Sequence, residues 1–594
     1  MMKADVQKLV NIALGKEKAD LMLCGAKLVN VFTAEIETVD VSVVDGYIAR
    51  VAPVQERNGH EAYETIDATG KYLIPGLIDA HTHIEMSFMT ATPFAEAVLP
   101  HGTTAAIIDT HDIGNVSADC LLWLGRELDA TPLKGHITVP PCVPSSPGLE
   151  DAGMTMDLEN LKYCSNVPNF IALGETMDFN RVISAEPEMM RMLGWAKEHG
   201  CFVDGHCPQI VGDALQAYVA AGPSTDHEFV TVEEALEKYR LGMKVVVRRG
   251  SLEEPYNAKE LVDQIKDTRN LLLATDGCIT LDTIVKRGTV INALRTIVAE
   301  GVDPVLAVQM ATINVARAYG LEKRIGAIAP GLCADMILVE DLKDFKIEAV
   351  YVDGKRIPKP GAYHLPRFAF PDNVRHTISL EPVEASCFAI KAPVQSGDIT
   401  VHVLDAKEDV LISGDCICDV PVANGEIHAI PERDILKISV LHRYQPKGTH
   451  TTALVRGFGF RSGALAGSIG QDSQNIVVVG TNDEDMAVAV NEVIRLGGGV
   501  VFAADHTVRG TIALPMGGIM NPTAHPDELL EEFGRFNALT KQHGGSFDNP
   551  AFPLSLMLTC ACIPELKITN RALVDALSGR PVSLFAEDET VDNK

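Results

Sequence analysis

The residues best placed to do chemistry lie at the ends of short apolar runs. His81 and His83 close LIDAHTH, Glu175 closes FIALGE, His206 falls in FVDGHC, His227 in PSTDHE and Asp276 in LLLATDG. Side chains alternate along a strand with period two, so the imidazoles of a His-x-His pair share one face. Four histidines and two carboxylates form a mixed nitrogen and oxygen donor set that suits Zn, Mn or Fe. Six ligands exceed what one four-coordinate catalytic zinc with an open position uses. Two divalent ions sharing a bridging carboxylate would use them all. A single buried histidine on a strand is usually a core residue; the recurrence of ligand types at matched strand ends is what favours metal.

Those runs belong to a longer pattern. Over residues 74–320, eight candidate strands (LIDAHTH, TTAAIID, HITVPPC, FIALGE, FVDGHC, PSTDHE, KVVVRRGS and LLLATDG) are each trailed by a helix-compatible stretch. That is the arithmetic of an α/β fold of the (β/α)₈ barrel type, whose reactive groups sit at the carboxyl ends of the strands. The sixth strand is the shortest and most polar. Alternating runs before and after the barrel, residues 19–73 and 321–370, predict one composite small β-sandwich domain that the chain leaves and re-enters. Asp45-Gly46 and Thr69-Gly70 punctuate its predicted hairpins. Residues 1–18 form an N-terminal unit with a short amphipathic helix over 4–15. Residues 376–594 form an additional C-terminal α/β domain whose clearest signal is a βαβ unit in NIVVVGTNDEDMAVAVNEVIRLGGGVVFAAD. Its loop is acidic and lacks a P-loop lysine, so its glycines read as turns.

The 80 acidic residues outnumber the 51 Lys and Arg, for a net charge of −29, which argues against nucleic acid and acidic membrane surfaces as partners. No signal-peptide-like or membrane-spanning apolar stretch is present. The 13 cysteines include no C-x-x-C; Cys416/Cys418 and Cys560/Cys562 are spaced C-x-C and read as strand residues packed in the core. A cytoplasmic location and a symmetric homo-oligomer are the expectations.

The run PGLIDAHTHIE, with the β-rich flanks and the last-strand Asp276, resembles the amidohydrolase superfamily. More narrowly, IALGKEKADLMLCGAKLVNVFT, FAEAVLPHGTT, VDGHCP, TDHE, EALEKYRLGMKVVVR, ILKISVLHR, VVVGTNDEDMAVAVN and IPELKITNRALVD resemble the bacterial adenine deaminases nearly end to end. The resemblance implies a binuclear centre held by His81, His83, bridging Glu175, His206, His227 and Asp276. It also implies Mn or Fe first and Zn second, and a hydroxide that attacks C6 of adenine to release ammonia and hypoxanthine. FIALGE contains no lysine, which argues against the carboxylated-lysine centres of other branches. Asp276 is the expected general base and acid. Glu85 and His111 are secondary catalytic candidates that would bond to the base or orient a ligand. Arg248 would anchor a ring nitrogen or pair with a carboxylate, and His101 would end a helix.

The chain departs from the family pattern at pocket positions. Gly277 follows Asp276 where paired aspartates are usual; Arg249 stands where glutamate is usual; Gln471 and Gln474 replace histidines of a His-Asp-Ser-His-Asn stretch; and Asp109-Thr110-His111-Asp112 replaces Asp-Pro-His-Glu. No proposed ligand is lost, yet a changed hydrogen-bond inventory alters substrate choice. A different purine, heterocycle or cyclic amide is therefore the alternative substrate, and a metal-retaining binding protein without catalysis the alternative class.

Overall fold

In the computed structural model, which describes residues 5–57, 59–407 and 412–586, the eight central strands are all parallel. They are β1 (Leu77–Thr82), β2 (Thr103–Asp109), β3 (Lys134–Val139), β4 (Phe170–Thr176), β5 (Phe202–Gly205), β6 (Thr225–Asp226), β7 (Lys244–Arg248) and β8 (Leu271–Ala274). Continuous pairing runs from β1 to β5 and from β6 to β8. The two sheets meet through Ser224 N donating to Val203 O (3.0 Å) at one seam and Asp276 N donating to His81 O (2.9 Å) at the other. The sixth strand has only two residues, because the polar stretch around it spends its hydrogen bonds on side chains: Thr225 Oγ1 accepts from Gly205 N.

Ile78, Ala80, Ala105, Ile107, Ala172, Val246, Leu272 and Ala274 share one core inside the strands. Leu77, Val245, Val247, Leu271 and Leu273 instead pack with helix residues such as Leu294 and Val308. Continued alternation carries Asp109, Arg248 and Asp276 inward, but puts His81 and Glu175 out of phase with inward Ala80 and Ala172. Two bulges correct this. Between Asp79↔Ala106 and Thr82↔Ile108, β1 advances three residues against two on β2. Between Leu173↔Val203 and Thr176↔Gly205, β4 advances three against two on β5. An extra residue re-aims the side chains beside it, and these two insertions coincide with His81 and Glu175.

Strands from both flanks of the barrel share one eight-stranded sheet, with Tyr72–Pro75 joining Met336–Val339 to Ala19–Asn30. It curls until Ile48 N donates to Leu332 O and Ala334 N to Gly46 O, enclosing Leu23, Val41, Ile48, Met336 and Leu338. The Asp45-Gly46 hairpin forms as expected, with both residues at positive φ. The Thr69-Gly70 hairpin does not. Ala62–Asp67 and Tyr72–Pro75 lie one after the other along the same long strand, both parallel to it. A bulge at Gly25 breaks the register of that strand where the chain crosses at Thr69. The amphipathic helix runs Val6–Ala13, capped by Asp5; the predicted start at residue 4 lies outside the described residues.

In the C-terminal part a ten-stranded mixed sheet carries helix Asp483–Leu496. Asn482 caps that helix through Asp485 N, and Gly497 ends it in the left-handed conformation. The βαβ reading needs one correction. Strands Ile476–Gly480 and Gly499–Ala504 are not neighbours, because Ala464–Gly467 is inserted between them, antiparallel to both. Among the described residues, no helix is long and apolar enough to cross a membrane.

Candidate metal centre

At the carboxyl end of the barrel the six expected residues meet around one oxygen. Glu175 Oε1 lies 2.8 Å from His227 Nε2, 3.1 Å from His81 Nε2, 3.4 Å from His206 Nδ1 and 4.0 Å from His83 Nε2. Asp276 Oδ1 closes the group, 3.0 Å from His83 Nε2 and 3.9 Å from His81 Nε2. The two Nε2 atoms of His81 and His83 are 3.0 Å apart, so their lone pairs converge on a shared volume. All six side chains are buried. Inside that shell His206 Nε2 and both nitrogens of His227 have no hydrogen-bond partner, as has His83 Nδ1. Buried polar atoms are normally satisfied, and imidazole nitrogens without hydrogen-bond partners gathered around carboxylates are a donor set that fits divalent cations.

Neighbouring charge is strong enough to outweigh burial. Burial disfavours the imidazolium forms, yet Glu175 and Asp204 hold His81 well above the usual histidine range, and Glu175 raises His206 to about 9. Burial likewise opposes ionisation of Glu175 and Asp276. The histidines around Glu175, and His83 with Arg248 around Asp276, nonetheless hold both carboxyls well below their usual range. A cation introduced here meets carboxylates already ionised.

The surrounding residues explain how the cluster stays in place. Asp204 Oδ2 takes His81 Nδ1 at 3.0 Å, which fixes the ring and turns Nε2 inward. Asp109 accepts from Glu175 N (2.8 Å), His111 N (2.9 Å) and Thr138 Oγ1 (2.9 Å). Gly174 permits that approach: a Cβ there would sit 2.1 Å from Asp109 Oδ2. Asp276 itself has φ 56, a left-handed conformation that Asp tolerates. Arg248 bonds Asp276 Oδ2 (2.8 Å) and Glu254 (2.7 Å) and reaches Glu228. It therefore pairs with carboxylates, the second of its two expected roles.

His111 joins the cluster, with Nδ1 3.3 Å from Glu175 Oε2 and Nε2 3.3 Å from Asp472 Oδ1. Glu85 does not line the central cavity; its Oε1 accepts from Ile113 N (3.3 Å), and burial with Asp112 nearby raises its carboxyl to about 8. His101 ends its short helix and bonds Val285 O (3.0 Å). Gln471 Nε2 donates to both oxygens of Asp112 (3.0 and 3.1 Å), and Gln474 donates to it as well. The C-terminal domain thus forms one wall of the barrel mouth.

The sequence matches the Amidohydrolase family over residues 72–357 and the Adenine deaminase C-terminal domain over residues 411–580. An adenine deaminase from Moorella thermoacetica is 37% identical over 589 residues, covering 98% of each chain. Adenine deaminase 1 from Carboxydothermus hydrogenoformans is 35% identical over 590 residues, covering 96% of this chain and 97% of its own. The chain belongs to the adenine deaminase family. Among solved structures, an adenosine deaminase from Xanthomonas campestris with bound Zn aligns at a TM-score of 0.43 and 16% identity, over 58% of this chain and 94% of that one.

As a member of the amidohydrolase and adenine deaminase families, the chain uses divalent metal. Its departures from the adenine deaminase pattern now have places. Arg249 does not put a cation beside the cluster: its guanidinium turns away to Glu300 (2.7 and 2.9 Å) and stacks on Tyr256. Gly277 packs its backbone near Met86 and His83. Residues that sequence reasoning missed are Asp204, Glu228, Glu254 and Asp472. Asp204 had a signal, since it stands two residues before His206 on the same strand face; the others arrive from loops.

Proposed function

We propose that this chain hydrolyses adenine to hypoxanthine and ammonia, with His81, His83, Glu175, His206, His227 and Asp276 holding two divalent ions. The observation that carries the reading is the convergence of four imidazoles on Glu175 Oε1, opposite Asp276, in a chain with full-length adenine deaminase relatives. When bound, the ions supply the Lewis acidity that makes water a competent nucleophile near neutral pH. Asp276 is ionised at that pH and can accept the water's proton and return it to the departing amine. Arg248 holds Asp276 Oδ2, while Oδ1 accepts from Gly277 N (2.6 Å) and is the oxygen turned toward His83 Nε2 (3.0 Å). Glu228 and Arg248 also line an adjoining cavity of about 260 Å³, which offers ring nitrogens both an acceptor and a donor. Glu175 keeps His81, His206 and His227 pointed at one volume, and Asp204 holds His81 from behind. The nitrogen and oxygen donors accept Mn, Fe and Zn alike, and the family resemblance ranks Mn or Fe first, with Zn next.

The test is to load the purified protein with Mn, Fe or Zn and follow ammonia and hypoxanthine on adding adenine. Ammonia in step with hypoxanthine is expected. Metal-loaded protein that deaminates only another purine or opens a cyclic amide would move the assignment to that substrate. Metal-loaded protein that turns over none of these would leave a binding protein.

A further inference from the structure

Cys560 and Cys562 contradict the expectation of two packed thiols on a strand. They lie in the turns after helix Ala551–Leu556, Cys560 buried and Cys562 partly buried, with their sulfurs 3.3 Å apart. Both face Asp472: Cys560 Sγ is 3.5 Å from each carboxylate oxygen and Cys562 Sγ is 3.4 Å from Oδ2. On the far side of Asp472, His111 Nε2 stands 3.3 Å from Oδ1, buried and without a hydrogen bond. Two sulfurs and one carboxylate therefore converge on the wall of the central cavity, with His111 on the other side of the carboxylate.

The spacing has a chemical meaning. Around a tetrahedral zinc with Zn–S of about 2.3 Å and Zn–O or Zn–N of about 2.0 Å, ligand atoms stand roughly 3.3 to 3.8 Å apart. The separations among the two sulfurs and the Asp472 oxygens span 3.3 to 3.5 Å. By contrast, Cys416 and Cys418, the other C-x-C pair, do lie on a strand, Gly414–Ala423, and pack against Ile and Val side chains. Identical spacing thus leads to packing in one place and to a converging donor set in the other.

We propose that Cys560, Cys562 and Asp472 form a separate three-donor site for a thiophilic divalent cation such as zinc, with His111 beside it holding the Asp472 carboxylate. Binding forms two metal–sulfur bonds, and the two thiols release their protons to solvent. The donors differ in kind from the all-nitrogen-and-oxygen cluster around Glu175, so the site selects softer ions. It ties the segment after helix Ala551–Leu556 to the Asp472 loop, whose carboxylate in turn faces His111 of the barrel, and so fastens the C-terminal wall over the mouth.

Cobalt distinguishes the two centres because only thiolate ligation gives an intense sulfur-to-cobalt charge-transfer band in the near ultraviolet. The full-length protein, stripped of metal under reducing conditions, is titrated with Co²⁺. The expected result is that band, saturating with one cobalt per chain, absent from the C560S/C562S double variant, which binds one cobalt fewer. H206N, altered in the other cluster, retains the band. Reduced wild-type protein that shows no charge transfer at saturating cobalt overturns the proposal, whether or not any variant folds. So does a band that persists in the double variant. Neither readout depends on adenine turnover.

Discussion

Asp226 and His227 are adjacent in sequence and belong to two clusters of buried charge built in opposite ways. Asp226 faces outward to Lys238, whose ammonium spends its three protons on Cys207 O (2.7 Å), Asp226 Oδ2 (2.8 Å) and Glu234 Oε1 (2.5 Å). Asp226 Oδ1 is occupied by Cys207 N. His227 faces inward to a group in which nitrogen after nitrogen has no hydrogen-bond partner. Both clusters are buried and charged, so burial of charge alone does not mark a functional site. Completeness does: the Lys238 cluster is finished by the chain, and the Glu175 cluster is finished only by something the chain binds.

Substitutions can break that contrast from either side. The largest effect is expected in the unfinished cluster, where Asp276→Asn should lower kcat by about 10²- to 10⁴-fold even in metal-saturated protein. Steady-state kinetics on metal-assayed protein would check it, and an unchanged kcat would remove Asp276 from proton transfer. In the finished cluster, Lys238→Met strands Asp226 and Glu234 and should cost about 3 to 5 kcal/mol of stability. Denaturant titration reads this, and a loss below ~1 kcal/mol would mean that Lys238 is not what completes the cluster. Between the two, Asp204→Asn keeps the shape but weakens the hold on His81; metal affinity should fall about 10- to 100-fold, measured by competition with a chelator.

The smallest expected effect sharpens the comparison at a site distant from both clusters. Burial, with Arg324 and Lys134 nearby, holds His136 on β3 down at about 4, against an ordinary 6.5. The unfolded chain therefore takes up this proton first, and stability is lost as pH falls from 6.5 towards 4. His136→Gln should remove about 2 kcal/mol of that loss. Above pH 7 the variant and wild type should share one pH dependence. Denaturation at pH 4.5 and pH 7 gives the comparison, and equal slopes would show that His136 is not the titrating group.

Much of the site was legible because ligand identity is a local property. His81-Thr82-His83 and the single histidines or carboxylates closing later apolar runs could be picked out one strand at a time, and the structure brings all six together. The weak signal for the sixth strand was equally accurate, since only Thr225 and Asp226 pair there. What could not be read were partners that come from other parts of the chain. Glu254 and Glu228 meet on Arg248, and Asp112 receives Gln471 across 359 positions. The orientation of Arg249 was equally hidden, because a side chain's charge does not say which neighbour it will find. Cys560-Ala561-Cys562 and Cys416-Ile417-Cys418 show the limit most sharply: one spacing, two fates, separated by whether the backbone there extends or turns.

By itself the sequence determined which donor types end which strands, the acidic balance of the surface, and the alternation of strand and helix that builds a barrel. Tertiary structure alone decided which way two of the donors face. His81 and Glu175 are out of phase with the inward residues of their own strands, and they reach the centre because β1 and β4 each insert a residue against a neighbour. Side-chain alternation is a property of one strand, whereas register is a property of two. A pattern read along one chain segment therefore cannot contain it.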